Sequence, residues 1–242
     1  MIEIKNLHKA FGENKVLRGV NLEIDTGETI VIIGRSGCGK SVLVKHIVGL
    51  MNPDDGYVKV EGQVVNEMSM KELYSLRRRF GFLFQGSALF DSMTVEENIA
   101  LPLVESGEKY SMAELEKKVA EKLEMVGMRE VQKLKPAELS GGMKKRVGLA
   151  RALITDPDYI FYDEPTTGLD PIMSDSIDDL IKELTDRLNV TSVVVTHDMY
   201  SVKNVANQVA MMHEGKIYFT GTPSELLSST DITIKDFIQR TA

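Results

Sequence analysis

A single cysteine, Cys38, stands among 242 residues, so no internal disulfide can form, and a chain of this length buries enough core to need neither a disulfide nor a metal staple. Long apolar runs are missing too. Runs such as residues 29–33 and 193–195 fall far short of the ~18 residues a spanning helix requires, so any membrane role is expected to be peripheral. The opening residues, MIEIKNLHKAFG, lack the long apolar core of a signal peptide, and the expected compartment is the reducing cytosol. Positive charge is not in excess: 29 basic against 36 acidic residues leave a formal charge of −7, so nucleic acid is not an expected partner. Internal repeats, low-complexity segments and heptad arrays are also absent, and the length allows one or two domains.

What is present is a change of period along the chain. Ile2 and Ile4, then Val20, Leu22 and Ile24, alternate with polar neighbours as half-exposed antiparallel strands do. Residues 30–33, 80–84, 159–162 and 190–195 are apolar without alternation, the mark of strands covered on both faces. Helical stretches lie between them, so the expected fold is α/β, a parallel-sheet core with an N-terminal antiparallel β-layer. Residues 85–158 are too many for one crossover and predict an inserted helical subdomain. Capping-box spacing at Thr94/Glu97 and Ser111/Glu114 opens two of its helices, Gly127 ends the second, Pro102 and Pro136 are expected breaks, and a further helix begins near Ser140. Residues 208–213 and 216–219 predict a hairpin turning at Glu214–Gly215, followed by a helix opened by Thr222, Pro223 and Glu225.

Residues 34–41 read GRSGCGKS, between a buried run and an apolar helix, which is the context the phosphate-binding G-x-x-x-x-G-K-[ST] pattern demands. Glycines let main-chain N–H groups turn inward around phosphate oxygens, and the helix start adds its dipole. Gly34, Arg35, Ser36, Gly37, Cys38 and Gly39 form this cradle, Lys40 reaches the β- and γ-phosphates, and the Ser41 hydroxyl holds Mg²⁺. Cys38 is a small side chain tolerated where backbone does the binding, with a thiol pKa expected to be lowered by Lys40 and the helix dipole.

Residues 159–164 read YIFYDE, a buried strand delivering two acids at its C-terminal end, where open α/β sheets bind ligands. Successive strand residues point oppositely, so Asp163 is assigned to the metal and Glu164 to the attacking water as general base. Gln85 and His197 follow two other buried strands at the same type of edge; Gln85 is placed on the metal or water and His197 on the γ-phosphate. Residues 139–143 read LSGGM, and Lys144, Lys145 and Arg146 follow. Acids normally favour a helix start by about 0.3–1 kcal/mol each, yet this opening turn has none. Its positive end, with the N–H groups of Ser140, Gly141 and Gly142, suits an anion brought from outside.

Together these residues resemble the nucleotide-binding domain of ABC transporters, with the motifs in the same order over nearly the whole chain. GRSGCGKS is similar to the Walker A motif, Gln85 to the Q-loop, LSGGM to the signature, YIFYDE to Walker B, residues 168–170 to the D-loop and His197 to the switch histidine. The resemblance implies a RecA-like P-loop NTPase fold and ATP hydrolysis, with ATP and Mg²⁺ as cofactors. It also implies one domain over residues 1–242, with residues 1–85 and 156–242 as core and 86–155 as helical signature subdomain. A head-to-tail homodimer would sandwich two ATP molecules, Ser140, Gly141 and Gly142 meeting the partner's nucleotide and Asp170 communicating across the interface. Asp170 before Pro171 is equally explained as a helix N-cap. Phe11 occupies the place of the aromatic that stacks on adenine, or else fills the β-layer.

Met143 departs from the family, where glutamine is usual. With QGSALFDSMTVEENIALPL and LSGGMKKRVGLARAL, it makes the chain resemble the Mce/Mla-type phospholipid-transport ATPases. That resemblance implies an integral membrane permease of the MlaE-like kind, a lipid-binding MCE protein, a STAS-domain protein, and a place on the cytoplasmic face of the inner membrane. The alternatives are another cargo, such as amino acid import or lipoprotein release, or a non-transport ABC ATPase such as an iron–sulfur assembly factor. Substituting Lys40→Ala removes a charge-assisted contact and is expected to weaken Mg-ATP binding by roughly ten- to a hundredfold. Titration with a fluorescent ATP analogue checks this, and an unchanged affinity would remove the loop from its assigned role.

Overall fold

The alternating residues at the start of the chain do form a half-buried layer. The computed structural model describes residues 1–241; residue 242 lies outside the described residues. Strands β1 (Ile2–Phe11) and β2 (Asn14–Ile24) pair antiparallel and bury Ile2, Ile4 and Leu7 against Leu17, Val20, Leu22 and Ile24. Strand β3 (Thr29–Ile33), helix α1 (Lys40–Ile47), β4 (Asp55–Val60), β5 (Gln63–Val64) and α2 (Met70–Arg77) follow. The antiparallel sheet has the order β2-β1-β4-β5.

The chain divides into two compact units, Met1–Arg77 with Lys182–Ala242, and Arg78–Ile181. The second contains β6 (Phe80–Leu83), α3 (Val95–Val104), α4 (Met112–Met125), α5 (Gly141–Leu153) and β7 (Tyr159–Asp163). Helix α6 (Pro171–Leu188) starts there and leads back to the first unit, which adds β8 (Thr191–Val195), α7 (Met199–Val205), β9 (Gln208–His213), β10 (Lys216–Gly221), α8 (Pro223–Ser228) and α9 (Ile232–Thr241). Within the first unit β3 pairs in parallel with β8 and β9, and β10 closes the edge antiparallel to β9. All five residues of β3 and of β8 are buried, the polar Thr29, Thr191 and Ser192 along with the aliphatic side chains, as strands covered on both faces must be.

In the second unit β6 and β7 pair in parallel, and their shared face is a ladder of rings. Phe82 stacks on Phe161 at 5.1 Å between centroids, and Phe80 meets Tyr159 at 5.2 Å. The helices start where local chemistry directs: Thr94, Ser111 and Thr222 cap α3, α4 and α8, and Glu97, Glu114 and Glu225 complete the capping boxes. Gly127, at φ +68°, follows the end of α4. Pro102 does not break the chain as expected; it sits inside α3, near its end, where the missing N–H forfeits only the bond to Asn98 and the turn continues to Glu105 through Leu101. Phe84, grouped with the buried run, is 47% exposed because β6 ends at Leu83. Among the described residues no helix is long and apolar enough to cross a membrane.

One irregularity in the β-layer has a clear energetic cost if disturbed. Pairing of β1 with β4 skips between Lys5 and His8, and there Gly56 takes φ +79° with its α-carbon pressed on the β1 backbone. A Cβ at Gly56 would lie 2.2 Å from the Asn6 carbonyl oxygen. Gly56→Ala is expected to lower stability by about 2 kcal/mol or more in urea unfolding. A change below about 0.5 kcal/mol, the level of an ordinary surface site, would contradict this account.

Candidate functional site

Strand β3 ends at Ile33, and the next residues must reverse direction before α1, which only glycine permits at three points. Gly34, Gly37 and Gly39 adopt φ +149°, +78° and +105°. At Gly34 the space is closed as well: a Cβ would lie 2.4 Å from the Met212 carbonyl oxygen and 2.8 Å from Cys38 Sγ. At Gly39 it would meet Leu17 at 2.9 Å. Lys40 opens α1, and its ammonium donates to the carbonyls of Gly34 at 2.6 Å and Arg35 at 3.2 Å, so its charge lies over the loop. Ser41 follows in the first helical turn, beside the exposed Ser36 and Gly37. Arg35 is engaged elsewhere: its guanidinium pairs with Asp236 of α9.

Cys38 corrects the expected direction of its titration. Burial raises its thiol pKa, and the nearby Lys40 charge opposes this without overcoming it. At the end of β8, His197 is exposed and Asp198 caps α7 by accepting from the Tyr200 N–H at 2.8 Å. Because Ile32 lies opposite Val195 in a parallel pair, the glycine loop and the His197 turn leave the sheet at the same edge. Phe11, at the tip of β1, is 49% exposed, with the Lys9 ammonium 5.9 Å from its ring centroid, so it does not fill the β-layer.

The second unit repeats the logic of parallel ends. Leu83 faces Tyr162, so Gln85 and the pair Asp163 and Glu164 emerge together. Asp163 and Glu164 are half-buried, Gln85 is exposed, and Glu164 holds φ +48° with Thr167 donating to its carboxylate at 3.2 Å. Asp170 caps α6, accepting from the Met173 N–H at 3.0 Å, which supports its structural explanation. Ser140 caps α5 and accepts from the Met143 N–H at 3.3 Å, with Ser140 and Gly141 exposed. Gly142 is buried instead, in a space where a Cβ would meet the methyl of Met173 at 2.0 Å. It serves close packing.

The basic run after Ser140 turns largely inward. Lys145 is buried on the carbonyls of Gln85 and Glu164, and Arg146 donates to the Val126 carbonyl and the Ser176 hydroxyl. Burial lowers the Lys145 pKa, and the charges of Asp163 and Glu164 oppose that. Arg151 holds the carbonyls of Ser87 and Ala88 at 2.7 and 2.8 Å. Sequence reasoning missed these roles; the spacing 145, 148, 151 marks one helix face, but the partners lie far away in the chain.

What survives of the anion argument is the absence of acid. Glu72, the three capping glutamates, and Asp170, Asp198 and Asp231 place an acidic group at the start of α2, α3, α4, α8, α6, α7 and α9. Among the described helices, α1 and α5 alone open without one. Both positive ends are left unneutralised by side-chain carboxylates.

The ABC transporter family profile matches residues 17–167. The intermembrane phospholipid transport system ATP-binding protein MlaF of Haemophilus influenzae is 40% identical over 239 residues, covering 99% of this chain and 90% of that one. The methionine import ATP-binding protein MetN of Clostridioides difficile is 42% identical over 226 residues, 93% of this chain and 70% of that one. A probable ribonucleotide transport ATP-binding protein of Mycobacterium leprae is 40% identical over 98% of this chain, which spans 68% of that protein. Among solved structures, a dimeric ATP-binding cassette in a post-hydrolysis state bound to ADP and Pi superposes with a TM-score of 0.83 at 34% identity, covering 92% of this chain and 99% of that one.

The raised thiol pKa sets a reactivity. At pH 7 iodoacetamide is expected to alkylate Cys38 more slowly than a free cysteine, because less thiolate is present. Added Mg-ATP should slow it further, and equal rates with and without ATP would count against a nucleotide in the loop.

Proposed function

Because the chain belongs to the ABC transporter family and is an ATPase, we propose that it energises a separate membrane permease whose cargo is phospholipid. What supports the cargo is the sequence after Gln85 together with Met143 in the signature, which resemble the Mce/Mla-type ATPases, and the 40% identity to MlaF over 99% of this chain. Methionine import is the second reading, favoured by the 42% identity. In both, the chain works on the cytoplasmic face of the inner membrane as a homodimer, the state named for the solved cassette. The permease is MlaE-like, with MCE and STAS-domain proteins as further partners.

The amides around Gly34–Gly39 and Lys40 grip the triphosphate, with Phe11 as platform for the adenine. Mg²⁺ suits the donors available. Ser41 and Asp163 offer hard oxygens of the kind this ion takes. Bound there, it would neutralise charge on the phosphates. Glu164 accepts the proton of the attacking water, Gln85 orients that water, and His197 donates to the γ-phosphate. Ser140 and Gly141, at a helix start without acid, complete the partner's nucleotide site, and Gly142 and Asp170 support that edge from within.

Glu164→Gln keeps the phosphate contacts and removes the base. Turnover is expected to fall by about 10²–10⁴-fold while ATP accumulates on a dimer, read by phosphate release and light scattering. Near-normal hydrolysis would take Glu164 out of its role. For the cargo, the chain is purified with its membrane partner and its ATPase assayed with phospholipid and with methionine. Stimulation by methionine alone would replace the phospholipid reading.

A further inference from the structure

Lys145 is 4% exposed, on the inward side of α5. Its ammonium donates to the main-chain carbonyl of Gln85 and, at 3.1 Å, to that of Glu164. Both acceptors lie just past the ends of β6 and β7, and the Glu164 carbonyl also accepts from the Thr167 N–H at 3.3 Å. Glu164 holds φ +48°, a conformation that a non-glycine residue keeps only when its surroundings impose it.

The same helix face continues the grip. A Cβ on Gly148 would lie 2.9 Å from Leu83 and 3.2 Å from the Ser87 side chain, so α5 rests directly on the end of β6. One turn further, Arg151 binds the carbonyls of Ser87 and Ala88, which stand at φ +59° and +47°. An apolar side chain at 145 would avoid the cost of burying an ammonium. Packing alone therefore does not explain a lysine whose charge ends on these two oxygens.

We propose that Lys145 is a positioning residue for ATP hydrolysis: it ties the backbones of Gln85 and Glu164 to α5, so that the water-orienting and proton-accepting side chains keep one register with the helix that Ser140 opens. A shift of α5 then reaches both residues together. The inference rests on the ATPase reading for its consequence, and on geometry alone for the tie.

The test uses the full chain. Lys145→Met is expected to lower kcat by about ten- to a hundredfold with KM for ATP held within roughly twofold, as for a misplaced catalytic group. Lys145→Arg, which can still donate to both carbonyls, should recover most of kcat. Amide exchange, measured without nucleotide, should quicken in Lys145→Met at residues 85–88 and 164–167 together. Unchanged kcat, or a loss that follows falling ATP affinity and that arginine does not rescue, overturns the proposal. So does exchange that quickens at only one segment or at neither. Should Lys145→Met fail to fold, Gly148→Ala decides, since it keeps the ammonium but forces α5 off Leu83 and Ser87; a normal kcat there overturns the proposal too. A wild-type chain that takes up no Mg-ATP refutes the ATPase reading instead, and the exchange result still settles the tie.

Discussion

When two strands run parallel, their C-terminal ends leave the sheet on the same side, and this constraint arranges the chemistry of each unit. In the first, the register of Ile32 with Val195 delivers the glycine loop and His197 to one edge. In the second, the register of Leu83 with Tyr162 does the same for Gln85 and the Asp163–Glu164 pair. No residue has to be carried far from its strand to reach its neighbours. Complete burial of β3 and the ring ladder between β6 and β7 hold those registers, because a slip of one residue would expose or misplace a whole face.

Charge is then distributed by subtraction. Among the described residues, seven helices open on an acid, which uses up the positive end of each, while α1 and α5 open on Gly39 and Ser140. Much of the basic sequence after Ser140 turns inward, where Lys145, Arg146 and Arg151 satisfy main-chain carbonyls of irregular segments. A buried acceptor left unsatisfied costs about 1–3 kcal/mol, so each of these bonds helps to hold its loop. The cations thus act as fasteners for loops, and what α5 offers to the proposed anion is its main-chain amides.

Features decided within a few residues could be read directly from the chain. The capping boxes at Thr94, Ser111 and Thr222 close over three residues, and the glycine loop carries its backbone demands in its own composition. Pro102 was misjudged because a proline near a helix end forfeits one bond rather than the turn. The fate of Lys145 could not be read, since its acceptors stand 60 and 19 residues away and are backbone atoms that any side chain could carry. Burial at Cys38 was equally hidden, and it reversed the expected pKa direction. The buried position of Gly142 depends on Met173, which belongs to a different helix.

Arg35, one residue into the glycine loop, is bound to Asp236, which also holds Arg240 at 2.7 Å within α9. Helix α9 is also seated by the buried Ile234 and Phe237, so the clasp is an addition to its packing rather than its only hold. Because the Arg35–Asp236 pair is exposed, rising salt weakens it and frees the Arg35 guanidinium without unseating the helix.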